Sequence, residues 1–150
     1  MEQGTRDVEQ GFRRLRAWQK ADDLACTVFR LVALLPREHR WLGNQIARAA
    51  VSVPANIAEG YSRGALRDYL RFLDIARGSL AELEYYLHFL RKNEIVGDKG
   101  LAPADGLRAK TGSLLFGLTQ SLRDKLREGE PWQRGLMRED VEEYLFAAEE

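Results

Sequence analysis

Apolar residues recur every three or four positions through most of the chain, and four such stretches predict four long helices. The first covers residues 15–35, with Trp18, Ala21, Leu24, Ala25, Val28, Leu31, Val32 and Leu35 on one face. Pro36 stops it, because proline disfavours helical geometry in the residue before it, and residues 36–40 read as a short loop. The second begins at Trp41 or Leu42 and ends within residues 60–64; Leu42, Ile46, Ala49, Ala50, Val53 and Ile57 line one side. Pro54 falls inside this pattern. It removes one backbone donor and frees the carbonyl of Ala50, which predicts a kink and not a break.

The third helix spans residues 66–92, with Leu66, Leu70, Leu73, Leu80, Leu83, Leu87 and Leu90 as its seam. Tyr69, Phe72, Ala76, Tyr86 and Phe89 widen that seam and predict burial against more than one neighbour, a hint of self-association; the alternative is a bundle with bulky aromatics at its edges. Residues 93–103 carry Gly97, Gly100 and Pro103 and read as the third connection. The fourth helix follows over residues 104–127, with Leu107, Leu114, Leu115, Leu118, Leu122 and Leu126 as its seam. Gly112 and Gly117 interrupt it at about 1 kcal/mol each relative to Ala, and read either as places of close helix approach or as tolerated weak points. Gly129-Glu130-Pro131 ends the pattern. Beyond it, residues 138–150 read as a short amphipathic helix with Val141, Tyr144 and Leu145 on one face; alone, a helix of that length is marginal.

The expected fold is all-α, an antiparallel up-down four-helix bundle with a kinked second helix and an acidic C-terminal tail. Residues 1–11 form an N-terminal arm, 12–128 the bundle and 129–150 the acidic extension. A chain of 150 residues, 45% hydrophobic and 31% charged, suits one such domain. No apolar run approaches the ~20 residues needed to cross a bilayer. The opening MEQGTRDVEQGFRRLR has no apolar centre of a signal peptide, so no membrane role and a cytoplasmic location are expected. The single cysteine, Cys26, sits among apolar residues and reads as a small core side chain.

Charge changes the picture. The formal net charge is zero, yet residues 11–128 hold 20 Lys and Arg against 13 Asp and Glu. Residues 129–150 hold two Arg against seven acids. A basic body attracts a polyanion, and an acidic tail competes for the same surface.

Catalytic chemistry finds little to work with. Glu84 and His88 lie four apart on one helical face, but no third or fourth metal ligand follows at a recognisable spacing. No phosphate-binding glycine loop is present, and Cys26 has no evident histidine partner. The expectation is no enzyme activity, no cofactor and no metal. Ser52, Asn56 and Glu59 cluster around Pro54. They are read as satisfying backbone groups at the kink or bridging to Arg48 or another helix.

The basic residues carry more. Arg63, Arg67 and Arg71 are spaced four apart and stack along one edge if the third helix starts early enough, with Arg77 continuing the stripe. Arg13, Arg14 and Arg16 precede the first helix. Arginine's planar fork pairs with phosphate oxygens, so Arg13, Arg14, Arg16, Arg63, Arg67 and Arg71 are the candidate nucleic-acid contacts. Solvent-facing helix surface gives the same pattern.

The segment Arg16-Ala17-Trp18-Gln19-Lys20-Ala21, then GNQIARAAVSVPANIAEGYSRG at residues 43–64 and DYLRFLDIARGSLAELE at residues 68–84, resembles the four-helix-bundle proteins encoded by intervening sequences in bacterial 23S rRNA genes. The resemblance covers residues 12–127. It implies a ring, with a pentamer expected. It extends to the accessory variability determinant of diversity-generating retroelements, which implies nucleic-acid binding beside a reverse transcriptase. Carried over, Gln45, Arg48, Ser52, Pro54, Asn56, Glu59 and Gly60 match the second-helix motif, and Arg71, Gly78, Ser79, Glu82 and Glu84 the third. They are read as determinants of fold and assembly. The acidic extension departs from the family's pattern.

Two functions follow as expectations. One is a non-catalytic, ring-forming accessory factor that binds RNA or DNA electrostatically. The alternative is an oligomeric interaction scaffold whose tail, through Trp132, Tyr144, Leu145 and Phe146, docks a protein partner.

Overall fold

The computed structural model describes residues 11–129, and among them every long element is helical. A 3-10 turn, Gly11–Arg14, leads into α1, Arg16–Ala33. A second 3-10 turn, Arg37–His39, leads into α2, Arg40–Tyr61. Then follow α3, Leu66–Lys92, and α4, Asp98–Glu128. The N-terminal arm before Gly11, the predicted tail helix and its docking residues Trp132, Tyr144, Leu145 and Phe146 lie outside the described residues.

The four helices form a bundle in which α2 packs on α1 and α3, and α4 packs on α1 and α3. The leucine seams read from the sequence are the core. Leu24, Ile46, Ile57, Leu73, Leu83, Leu87, Leu90, Leu115 and Leu122 are fully buried. Each such side chain contributes about 1.5–3 kcal/mol when taken from water. Between α3 and α4 the partners run in opposite numerical order. Arg91 bonds Asp105, Arg108 lies 3.6 Å from Glu84, Gly112 faces Leu80 and Arg123 bonds Asp74.

Helix α2 is unbroken through Pro54, which is buried. The lost donor costs one hydrogen bond, and packing on both sides of the proline offsets it. Several expectations need correction. Residues 93–103 are not all connection, because α4 starts at Asp98 and takes in Gly100 and Pro103. Leu101 and Ala104 are buried there, and their packing outweighs the local breakers. Cys26 is exposed and points away from the core, one position round the helix from buried Ala25. The broad apolar surface of α3 is consumed inside the chain. Tyr69, Phe72 and Ala76 are buried, and Tyr86 and Phe89 pack on the core. Ile75 and Tyr85 are the large apolar side chains that α3 leaves exposed.

Candidate nucleic-acid interface

One end of the bundle collects the start of α1, the end of α2, the start of α3 and the end of α4. A Cβ on Gly11 would lie 3.8 Å from the Tyr61 ring, so the first turn sits beside the end of α2. Gly60 packs on Tyr69 and Phe72 at the start of α3. Arg123 Nη2 donates to Asp74 Oδ1 at 3.2 Å, which brings the last turns of α4 to the same level.

Five of the six candidate arginines, Arg13, Arg14, Arg63, Arg67 and Arg71, are exposed at this end, and Arg16 is half-buried. The proposed stripe on α3 is incomplete. The helix starts at Leu66, so Arg63 lies in the loop before it. Arg63 reaches the same place by another route. Its guanidinium lies 4.7 Å from the Phe72 ring centroid, and that of Arg71 lies 4.8 Å from it. One phenyl ring holds both cations. Arg63 is also bonded to Glu59 at 2.8 Å, so Glu59 of the second-helix motif offsets part of this charge. Arg67 makes no ion pair among the described residues and stands free toward solvent. Arg77 does not continue the stripe, since it pairs with Asp74 at 3.8 Å.

The fold adds basic residues that spacing along one helix does not reveal. Arg123, Lys125 and Arg127 arrive from the last turns of α4, where cations also suit the helix dipole. Arg123 is bonded to Asp74, and Arg127 lies 3.6 Å from Asp124. The sequence signal was present as a basic helix C-terminus, but its neighbours were not.

The rest of the motif is divided by the structure. Ser52 Oγ lies 2.8 Å from Ser79 Oγ, joining α2 to α3. Asn56 Nδ2 donates to the Ser52 carbonyl at 2.7 Å and to its hydroxyl at 3.0 Å. Ser52 therefore bridges α2 to α3, and Asn56 meets the Ser52 backbone carbonyl beside the proline. Gln45 and Arg48 are exposed on α2. Glu84 is engaged with Arg108, and His88 lies against the Tyr85 ring at 6.3 Å. Among the described residues no three His, Cys, Asp or Glu side chains converge as metal ligands, and no helix is long and apolar enough to cross a membrane.

No curated protein matches the chain. Residues 13–115 match the family model described as 23S rRNA-intervening sequence protein. That match takes in α1, α2, α3 and the first half of α4, the elements that build the bundle and most of its basic end, and the chain belongs to this family.

Proposed function

We propose that the protein is a non-catalytic, ring-forming bundle that binds RNA or DNA through phosphate contacts at its basic end. The observation that carries this reading is the convergence of Arg13 and Arg14 from the first turn, Arg16 from α1, Arg63 from the α2–α3 loop and Arg67 and Arg71 from α3, beside Arg123, Lys125 and Arg127 from α4. Two guanidiniums on one ring repel each other, and a bound phosphate relieves that repulsion. Such contacts position a strand without reading its bases. The family's name fits an RNA-associated role.

The bundle is read as antiparallel and up-down, with α2 bent at Pro54; the falling partner numbers between α3 and α4 support the first part. Assembly into a ring, with five copies expected from the family resemblance, is supported by exposed Ile75 and Tyr85 on α3 and Phe116 on α4. Native mass spectrometry counts the copies. A cytoplasmic site of action and a kinship with the retroelement determinant complete the proposal. A reverse transcriptase gene beside this one favours that kinship.

The test is a salt titration of RNA affinity. Four contacted phosphates predict a fall of roughly a hundredfold between about 50 and 200 mM salt. No measurable binding at about 50 mM salt overturns the reading.

A further inference from the structure

We propose that residues 138–150 dock into an apolar groove between α1 and α2 of their own chain. The groove has a volume of about 510 Å³, and its walls include Trp18, Cys26 and Phe29 from α1 and Val51, Pro54 and Ala58 from α2. It is uncovered, with Phe29 65% and Val51 50% exposed. An open apolar face of this kind marks a binding surface.

Three arguments name the occupant. The first is where the chain leaves the bundle. Gly129 closes α4 in the left-handed conformation, φ 67°. The bond from Arg123 to Asp74 puts that exit at the start of α3, the end of the bundle where Trp18 opens the groove. The eight residues 130–137 reach up to about 27 Å, more than the ~10 Å width of the helix they must pass.

The second is fit. From Trp18 to Phe29 the groove runs along eleven residues of α1, about 17 Å, and residues 138–150 as a helix measure about 20 Å. Val141, Tyr144 and Leu145 recur at helical spacing and present one apolar stripe. A helix too short to stand alone gains its stability from such a groove.

The third is charge. Glu139, Asp140, Glu142 and Glu143 flank the stripe. The groove's rim offers Arg30, exposed and without an ion pair among the described residues. Arg13 and Arg14 lie just beyond its mouth. Asp22 is the acid in the wall, and it faces the Cys26 thiol at 3.9 Å. Docking so placed brings four carboxylates beside the basic end and weakens its hold on phosphate. That consequence rests on the proposed nucleic-acid binding; the docking does not.

Cys26 is the chain's single cysteine and sits in the groove wall, so its labelling reports occupancy. The measurement is the maleimide labelling rate of the full chain against its Tyr144→Glu, Leu145→Glu variant, without nucleic acid. Both substitutions lie outside the bundle, and unchanged helical circular dichroism verifies its fold. The variant is expected to label about tenfold faster, and the protection in the parent to be independent of protein concentration. Equal rates overturn the docking. Protection that grows with protein concentration overturns the same-chain occupant and assigns the groove to a second copy.

Discussion

Gly60 of α2 lies so close to Phe72 of α3 that a β-carbon on it would sit 2.8 Å from the Phe72 Cβ and 2.9 Å from the Tyr69 ring. Both obstacles are fixed parts of buried side chains, so neither gives way easily. Gly60→Ala is therefore expected to destabilise the bundle by about 1–3 kcal/mol, although alanine by itself favours a helix by about 1 kcal/mol. Gly78, on α3, has nothing within 4 Å of its would-be Cβ. Gly78→Ala is expected to stabilise by about 0.5–1 kcal/mol. Urea unfolding of the two variants checks both signs.

The contrast shows what a sequence can and cannot carry. The leucine seams were legible because period and burial are the same fact seen twice. Gly60 and Gly78 look alike along the chain, and only the distance to a neighbouring helix separates them. Cys26 was misplaced because apolar neighbours in sequence are not neighbours in space; one residue further round a helix is a turn of about 100°. The connection expected over residues 93–103 ends early, at Gly97, for a related reason. Gly100 and Pro103 are local signals, and burial of Leu101 and Ala104 is a distant one that overrides them, while Gly97 stays in the connection. At the basic end, Arg67 and Arg71 were readable from spacing along α3. Their meeting with Arg63 on Phe72, and the arrival of Arg123, depend on loops and packing.

Ser52 and Ser79 share one hydrogen bond across the α2–α3 seam, and Asn56 anchors Ser52 from the same helix. Each partner removed leaves a half-buried hydroxyl short of a bond, so Ser52→Ala and Ser79→Ala are each expected to cost about 1 kcal/mol. The double variant is expected to cost less than the sum of the two. A double-mutant cycle in urea measures that coupling.

Tyr69 makes stability depend on high pH. Burial raises its phenol well above the ordinary value of 10, and the nearby Tyr61 raises it further. Its folded pKa is the higher one, so the contribution is fully present below pH 10 and is lost as the unfolded chain ionises above it. Above pH 10 the unfolded state binds fewer protons than the folded one, and unfolding free energy falls by about 1.4 kcal/mol per pH unit from this group. In Tyr69→Phe that part of the slope is expected to vanish. Urea unfolding at a series of pH values from about 9 to 11 separates the two chains.

Thr111 is fully buried on α4, and its hydroxyl finds no hydrogen-bond partner among the described residues. Leaving such a group dry costs about 1–3 kcal/mol. Valine has the same shape without the hydroxyl. Thr111→Val is therefore expected to stabilise the protein by about 1 kcal/mol, read as a higher urea midpoint at unchanged slope. A lower midpoint would mean that the hydroxyl has a partner in solution.

Arg67 and Arg71 separate the nucleic-acid reading from ordinary surface charge. Arg67 stands exposed, and Arg71 leans on the buried Phe72 ring at 4.8 Å, so helical circular dichroism of the Arg71→Ala variant checks that its fold is kept. If each meets one phosphate, Arg67→Ala and Arg71→Ala each reduce the slope of log affinity against log salt by about 0.7–0.9. Arg37, in the turn between α1 and α2, lies at the opposite end and serves as the control. Arg37→Ala changes net charge by the same amount and is expected to leave the slope unchanged. Three equal effects would trace binding to overall charge and remove the basic end from the account.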